Sequence, residues 1–394
     1  MDDYMIRLAR AVFMGFRRRF AAATGIALLG SMVALAGSTA AEAQVVPAAK
    51  AVPPGFRSDS ITWASPMRGW VLGAAPCGLQ TCSYVIGTSD GAKSWTLLGE
   101  IQAPIAQIGD PSRPGITEIR FANLKVGWAF GPELYRTING GRSWKAMPIP
   151  GHGKQVLALA SNATAAYAVV SSCRWMTGLC SNQPLTFWRT TTLTAGSWIR
   201  IPLNLPISLS ANVAVFGQTV YVVDPQFGRK DKFYASTDGR HFSARPVPCD
   251  NTPDIQLVQV VATSTTQVAL LCVGNPGFSK SDKFVFRSKN TGKTDIYAGT
   301  LNPYGYQSEL AASPSGNLAV ASSSDGSFIY INDSHKRAWT TQVAYSDGGR
   351  GWNDIVYVSD SEAWVVYSPV DYFNGIGKLY VTHDAGHTWY LDTP

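Results

Sequence analysis

Charged side chains are scarce in this chain of 394 residues, where Asp, Glu, Lys and Arg together make up 15%. No basic block is concentrated anywhere, which leaves a nucleic-acid reading without support. After residue 43 no apolar run approaches the roughly 20 residues a membrane-spanning helix needs. No stretch there carries a helical period either, which excludes a helical bundle. Gly-x-Ser-x-Gly, His-Glu-x-x-His, P-loop and EF-hand spacings are all missing, and with them the chemistries they announce. The six cysteines and five histidines do not lie near one another in sequence, so no metal site and no cofactor are expected. Glycine, aromatic and β-branched residues are plentiful instead, and they point to one large β domain.

The first 43 residues read as an export signal. Arg7, Arg10 and Arg17-Arg18-Arg19 precede an apolar run from Ala21 to Ala36, followed by Ala41-Glu42-Ala43. That is the charged, apolar, A-x-A order of a secretory signal peptide cleaved before Gln44. A retained anchor is the alternative, although the apolar run is short for a span. Arg17-Arg18-Arg19-Phe20 suits an ordinary n-region, with a twin-arginine signal as the lesser alternative. Residues 44–56 form an Ala/Pro-rich linker, and 57–394 the mature domain. Cleavage takes five basic and three acidic residues from the formal charge of +7, leaving +5. The expected location is secreted or periplasmic, in the cell envelope, with no membrane span after cleavage.

One local pattern recurs along the mature chain. Thr382-His383-Asp384-Ala385-Gly386-His387-Thr388-Trp389 is its fullest copy, and Thr137-Ile138-Asn139-Gly140-Gly141-Arg142-Ser143-Trp144 keeps every position with Asn for Asp. Thr88 to Trp95, carrying Asp90, lacks the second glycine. Ser236 to Phe242, carrying Asp238, is one residue shorter. Ser288 to Thr294 keeps Asn290 and Gly292 but ends in Asp295. Sites ending at Trp198 and Trp339 keep only the tryptophan. The chemistry is that of a tight turn: Asp or Asn accepts from turn amides, glycine supplies positive φ, and the tryptophan opens the next strand. A period of roughly 44 to 54 residues is that of propeller blades.

The pattern resembles the BNR/Asp-box repeat of sialidases, sortilin-type propellers and photosystem II assembly factor-like proteins. The likeness covers about residues 57–394. It is strongest to the last group, through Val126-Gly127-Trp128-Ala129-Phe130-Gly131, then Leu134-Tyr135-Arg136-Thr137 and the turn. The resemblance implies a propeller fold and, for the assembly-factor group, an assembly or stability role. It says little of activity, because enzymes and non-enzymes share this turn.

Seven apolar, β-branched runs of four to five residues mark the second strand of each blade: 69–73, 127–131, 166–170, 220–223, 267–271, 318–321 and 363–366. Such runs suit strands buried on both faces. The expected fold is all-β, a seven-bladed β-propeller of four-stranded antiparallel blades. The degenerate turns of blades three and six leave six or eight blades open. The ring closes either by side-chain packing between blades one and seven or with an edge strand from 44–56.

Because strands alternate in direction, the recurring turns share one rim. The connections after second strands, and those between blades, share the other. That second rim carries long loops at 74–83, 171–185, 224–232, 275–283 and 368–378. Inter-blade segments at 99–115, 301–309 and 346–354 join them. The candidate binding face there comprises Arg174, Trp175, Phe227, Arg229, Lys230, Tyr304, Tyr306, Arg350, Trp352, Tyr372 and Phe373, together with Phe278 and Lys280. Exposed aromatics beside basic groups are typical of binding surfaces, although rings of this kind also fold back to cap a propeller end.

The leading expectation is a non-catalytic module whose partner is a protein or an envelope polysaccharide. A purely structural module in a larger envelope complex is a weaker one. The enzymatic alternative is a glycoside hydrolase of sialidase-like fold. Phe56-Arg57-Ser58-Asp59 matches only two positions of the arginine motif that family would require. Glu118, Asp254, Glu309 and Asp354, near first-strand positions, are the carboxylates available for a channel pair.

Six cysteines in an exported chain point to disulfides. Cys77 and Cys82 flank one loop, Cys173 and Cys180 the equivalent loop in blade three, and Cys249 and Cys272 a longer one. All three pairs fall on the loop-rich rim. Peptide mapping without reduction is expected to show these three pairs. A bridge joining blade one to blade five would break both the pairing and the parse.

Overall fold

The computed structural model describes residues 50–394, apart from 107–113, 174–183, 227–228, 251–253, 325, 334–336, 346–350 and 368–376. Its strands form seven four-stranded antiparallel sheets, each built from consecutive sequence. The second strands are Arg68–Cys77, Gly127–Phe130, Ala166–Ser171, Thr219–Asp224, Val268–Gly277, Leu318–Ser323 and Ala363–Tyr367. These are the seven runs expected from the sequence. The one helical element among the described residues is a 3-10 turn at Pro150–His152, and no helix there is long and apolar enough to cross a membrane.

The apolar residues fall into seven clusters, one between each pair of neighbouring blades, with none at the centre. Alternation explains why. In blade six, Ala319 and Ala321 join the cluster shared with blade seven, whereas Leu318 and Val320 join the one shared with blade five. A second strand therefore buries both faces, and its sequence reads as continuously apolar. Aromatic rings fill the wedge. Trp70 of blade one stacks on Phe121 of blade two at 3.8 Å between centroids, and burying a ring of that size contributes about 1.5–3 kcal/mol.

Each first strand contacts the next around the ring, and that of blade seven, Trp352–Tyr357, contacts that of blade one, Arg57–Ser65. Among the described residues the closing joint shares no strand. Ile61 and Val71 pack there against Trp364 and Val366, and Trp63 lies 5.6 Å from Trp364. Trp95 Nε1 donates to the Asp392 carboxylate at 2.9 Å. Of the preceding chain, Lys50 bridges Leu97 at the outer edge of blade one, and Val52 and Phe56 pack against the closing cluster.

Five of the turns from third to fourth strand share one hydrogen-bond scheme. In the last, Gly386 N donates to Thr382 Oγ1 (2.9 Å), and Thr388 N and Oγ1 donate to the two Asp384 carboxylate oxygens (2.8 and 2.6 Å). Trp389 Nε1 then closes on the Gly386 carbonyl. Gly386 sits at φ +102°, where a Cβ would also meet Ile331. Asn139 accepts from Ser143 N and Trp144 closes on Gly141 in the same way. Asp90 accepts from Ser94, Asn290 from Thr294 and Asp238 from His241. Trp95 departs from the scheme by serving the ring-closing joint. In blade five the buried Gly292 donates to Ser288 Oγ, so the frame survives without an aromatic.

Asp384→Ala is expected to lower stability by about 0.5–2 kcal/mol, the cost of losing a comparable side-chain cap, with binding unchanged per folded molecule. Calorimetric melting checks it, and an unchanged melting temperature with lost function would sink the structural role. A second expectation concerns Asp224, which is fully buried. Its Oδ1 accepts from Gln226 Nε2 at 2.8 Å, while Oδ2 has no partner. Burial pushes this carboxyl up to about 7, against the hydrogen bond from Gln226. The folded protein then holds a proton that the unfolded chain releases near its ordinary value, so stability falls between about pH 4 and 7 and levels off above. Asp224→Asn removes that slope. The variant should gain on wild type by about 2–4 kcal/mol between pH 4 and 8, and parallel urea midpoints at the two pH values would refute the assignment.

Candidate functional site: the loop-rich rim and the channel

The rim opposite the recurring turns is held by covalent and polar ties. Cys77–Cys82 closes the hairpin tip of blade one, and Cys249–Cys272 fastens the chain entering blade five to its second strand. Cys173 is also disulfide-bonded, while Cys180 lies outside the described residues. The strongest polar tie is Lys283. Its side chain is buried, and Nζ donates to the carbonyls of Ser281, Pro303, Tyr304 and Gly305 at 2.7–3.0 Å. Burial pushes its ammonium down to about 7, while four carbonyl dipoles aimed at the charge work the other way.

Beside that tie lies a cavity of about 540 Å³ over blades four and five. Its lining includes Gln226, Arg229, Lys230, Asp254, Gln256 and Tyr306. Arg229 and Lys230 are exposed, and Lys230 approaches Asp250 only at 3.9 Å. Asp231 is committed inward, accepting from the backbone amides of Gln226 and Leu257. Tyr304 and Tyr306 are exposed at 44% and 39%, and Phe278 fully so at 99%. Lys280 Nζ stands 4.7 Å from the Tyr304 ring centroid, a cation–π distance. The structure therefore brings Arg229, Lys230, Tyr304 and Tyr306 onto one sector of the rim. Arg174, Trp175, Phe227, Arg350, Tyr372 and Phe373 lie outside the described residues.

Trp352 requires a correction. Expected on an exposed loop, it is 3% exposed and begins the first strand of blade seven. Its ring packs edge-on to Tyr367 and Tyr380 in the core between blades six and seven. The chain has already entered the sheet at this position, and alternation turns the side chain inward.

The first strands supply a second set of polar groups. Asp354 Oδ2 accepts from Ile61 N, Ser60 Oγ from Ile119 N, Asn212 Oδ1 from Val260 N and Gln259 Oε1 from Leu310 N, at 2.6–3.2 Å. In each case a side chain of one blade clasps the backbone of the next, at the same register. At two equivalent positions the residue is a glutamate engaged otherwise. Glu309 accepts from Gln259 Nε2, and Glu118 pairs with Arg120 at 3.0 Å. Arg120 also reaches both oxygens of Asp354, at 2.9 and 3.4 Å.

Enclosure alone would lower the Arg120 pKa, but Asp354 and Glu118 more than offset it and the net shift is upward. Enclosure pushes Glu309 up to about 8, with Asp354 and Glu118 adding to it. Glu118 is raised too, chiefly by enclosure, and Arg120 opposes the shift. These groups are surrounded yet wet, since the side chains of Arg120 and Glu118 keep 29% and 38% exposure.

Three of the four carboxylates singled out from sequence thus share one electrostatic cluster. Asp254 does not join them, lying at the rim cavity. Arg120, Gln259 and Ser60 were missed. A period-two reading of Glu118-Ile119-Arg120 would have put Glu118 and Arg120 on one strand face. Lys283 had no such signal, because three of its four partners are backbone carbonyls of another loop. Among the described residues no group of three or more His, Cys, Asp or Glu converges to hold a metal ion. Chemically, the cluster offers one proton-holding carboxyl near neutral pH and an arginine already neutralised by two carboxylates.

No family model matches this sequence, and no curated protein matches it. Solved structures share the fold at low identity. A PL25 ulvan lyase bound to -[GlcA(1-4)Rha3S]- aligns with a TM-score of 0.55 at 10% identity, covering 88% of this chain and 95% of that one. The β-propeller domain of the Trilobed protease from Pyrococcus furiosus, described as having an open velcro topology, aligns at 0.50 and 11% identity over 87% and 97%. YCF48 bound to D1 peptide aligns at 0.47 and 16% identity over 74% and 85%. At these identities the likeness extends to the propeller fold alone.

Proposed function

We propose that this chain is an exported, non-catalytic propeller that binds a protein partner or a cell-envelope polymer through its loop-rich rim. The observation that carries the reading is the exposed aromatic and basic sector built on the Lys283 tie. Side chains held in place before binding lose less freedom on association, which favours affinity. Residues 1–43 serve as the export signal and 44–56 as a linker, and the disulfides suit an oxidising compartment. The Asp-box resemblance of the turns, and the assembly-factor likeness at Val126 to Thr137, support an assembly or stability role.

A second reading has its own observation. Glu309, raised to about 8 beside Glu118 and Asp354, is a protonated carboxyl near two carboxylates, as a glycoside-cleaving site requires. It is the weaker reading, because Arg120 and the Ile61 amide already occupy Asp354.

Two measurements separate the readings. The purified chain, immobilised, should retain a component of the native envelope, and a Tyr304→Ala/Tyr306→Ala variant should release it. A screen against fluorogenic glycosides should show no turnover above background. Robust turnover abolished by Glu309→Gln would overturn the binding reading in favour of hydrolysis.

A further inference from the structure

The hairpin tip of blade five is strained where nothing in the core requires it. Phe278 and Ser279 both lie in the left-handed region, at φ 45° and 64°. That turn is ordinarily filled by Asn and Gly, and a bulky ring there is an outlier. Yet the Phe278 side chain is 99% exposed, so burial does not repay the strain. Strain kept at an exposed residue points to a role for its side chain outside the fold.

The base of the tip is held firmly. The Ser279 carbonyl accepts from Gly305 N and Ser324 Oγ, both at 3.0 Å, and Ser279 N donates to Tyr306 Oη at 3.3 Å. Gly305 is itself at φ +88°, and a Cβ there would lie 2.3 Å from Ser322 Oγ. Behind it stands Lys283, fastening the same carbonyl segment.

Resting on the binding reading above, we propose that this platform takes a carbohydrate chain bearing carboxylate groups. The relief of the surface favours a glycan over a peptide. Protein hot spots insert apolar knobs into dry apolar holes. Here the Phe278 ring stands out as a ridge, with Tyr304 stacked on Phe328 and covered by Lys280, and the hollow carries amides and charges of both signs: Gln226, Gln256, Arg229, Lys230, Asp250 and Asp254. A pyranose ring has the complementary form, with an apolar C–H face to lay on an aromatic ring and an edge of hydroxyls to place among amides and carboxylates. Arg229, Lys230 and Lys280 supply the cations for its anionic substituents.

Affinity electrophoresis of the purified chain through native gels containing polygalacturonate, with neutral dextran as reference, tests this. Retardation is expected in polygalacturonate and not in dextran. Phe278→Gly leaves the charge unchanged and suits the backbone, so it should weaken retardation about tenfold while the melting temperature stays level or rises. Equal retardation of wild type and Phe278→Gly would mean attraction by net charge alone and would overturn the proposal. No retardation by polygalacturonate, with a Phe278-dependent envelope protein still captured, would overturn the glycan assignment and leave the binding face standing. Failure of both would remove both.

Discussion

A propeller has no centre to collapse onto, so each blade must bury two faces against its neighbours, and the constraint on the whole is that the last joint close. Here, among the described residues, the seventh blade meets the first without exchanging a strand. The Trp63, Trp95 and Trp364 rings interlock at 5.6–6.1 Å, and Asp354 is hydrogen-bonded to Ser60 and the Ile61 amide. Arg120 from blade two reaches the same carboxylate. Three blades thus meet on one side chain at the place where chain connectivity does not hold the ring. Exchanged packing and side-chain hydrogen bonds do there what the backbone hydrogen bonds of a shared sheet would do.

What could be read from the sequence follows from how local its physics is. Second strands were legible because burial on both faces leaves no polar alternation, as in Ala363-Trp364-Val365-Val366. The turns were legible because their bonds close within a few residues, as between Thr382 and Trp389. The weak turn sites of blades three and six hold their hairpins by other local means. Gly196 N donates to the Thr192 carbonyl, and Asn332 Nδ2 to that of Ala338. The site was less legible because its bonds are distant in sequence. Arg120 and Asp354 are separated by 234 residues, and no composition or spacing signals such a meeting. Trp352 shows the opposite error, since an aromatic beside a loop is an anchor or a core residue according to a boundary of one or two positions.

The two rims divide the labour. On the turn rim, side chains satisfy backbone groups within one hairpin, and the exposed Asp90 carboxyl is held at about 2 by hydroxyl and amide donors from Ser94 and Thr88. On the loop rim, ties run between elements: a disulfide from Cys249 to Cys272, and an ammonium from Lys283 to a connection about 20 residues on. A connecting loop makes few ladder bonds, so its shape has to be imposed by such ties, and side chains it presents are then as well placed as those on strands.

The channel clasp carries the same logic into the interior. Asp354, Ser60, Asn212 and Gln259 occupy one register position in four blades and each accepts the next blade's amide. Their polarity is thereby explained by assembly alone. Glu118 and Glu309 hold that position in two further blades and serve the channel instead, with pKa values raised by enclosure and by the Asp354 carboxylate. Replacing a clasp residue should loosen a joint, because an amide loses its acceptor inside the ring. Replacing Glu118 takes away one of the two carboxylates that neutralise Arg120, whereas Glu309 is raised chiefly by its enclosure. Residues alike in position and polarity therefore act on the ring in different ways, one set clasping a neighbour's backbone, one balancing an arginine and one merely enclosed.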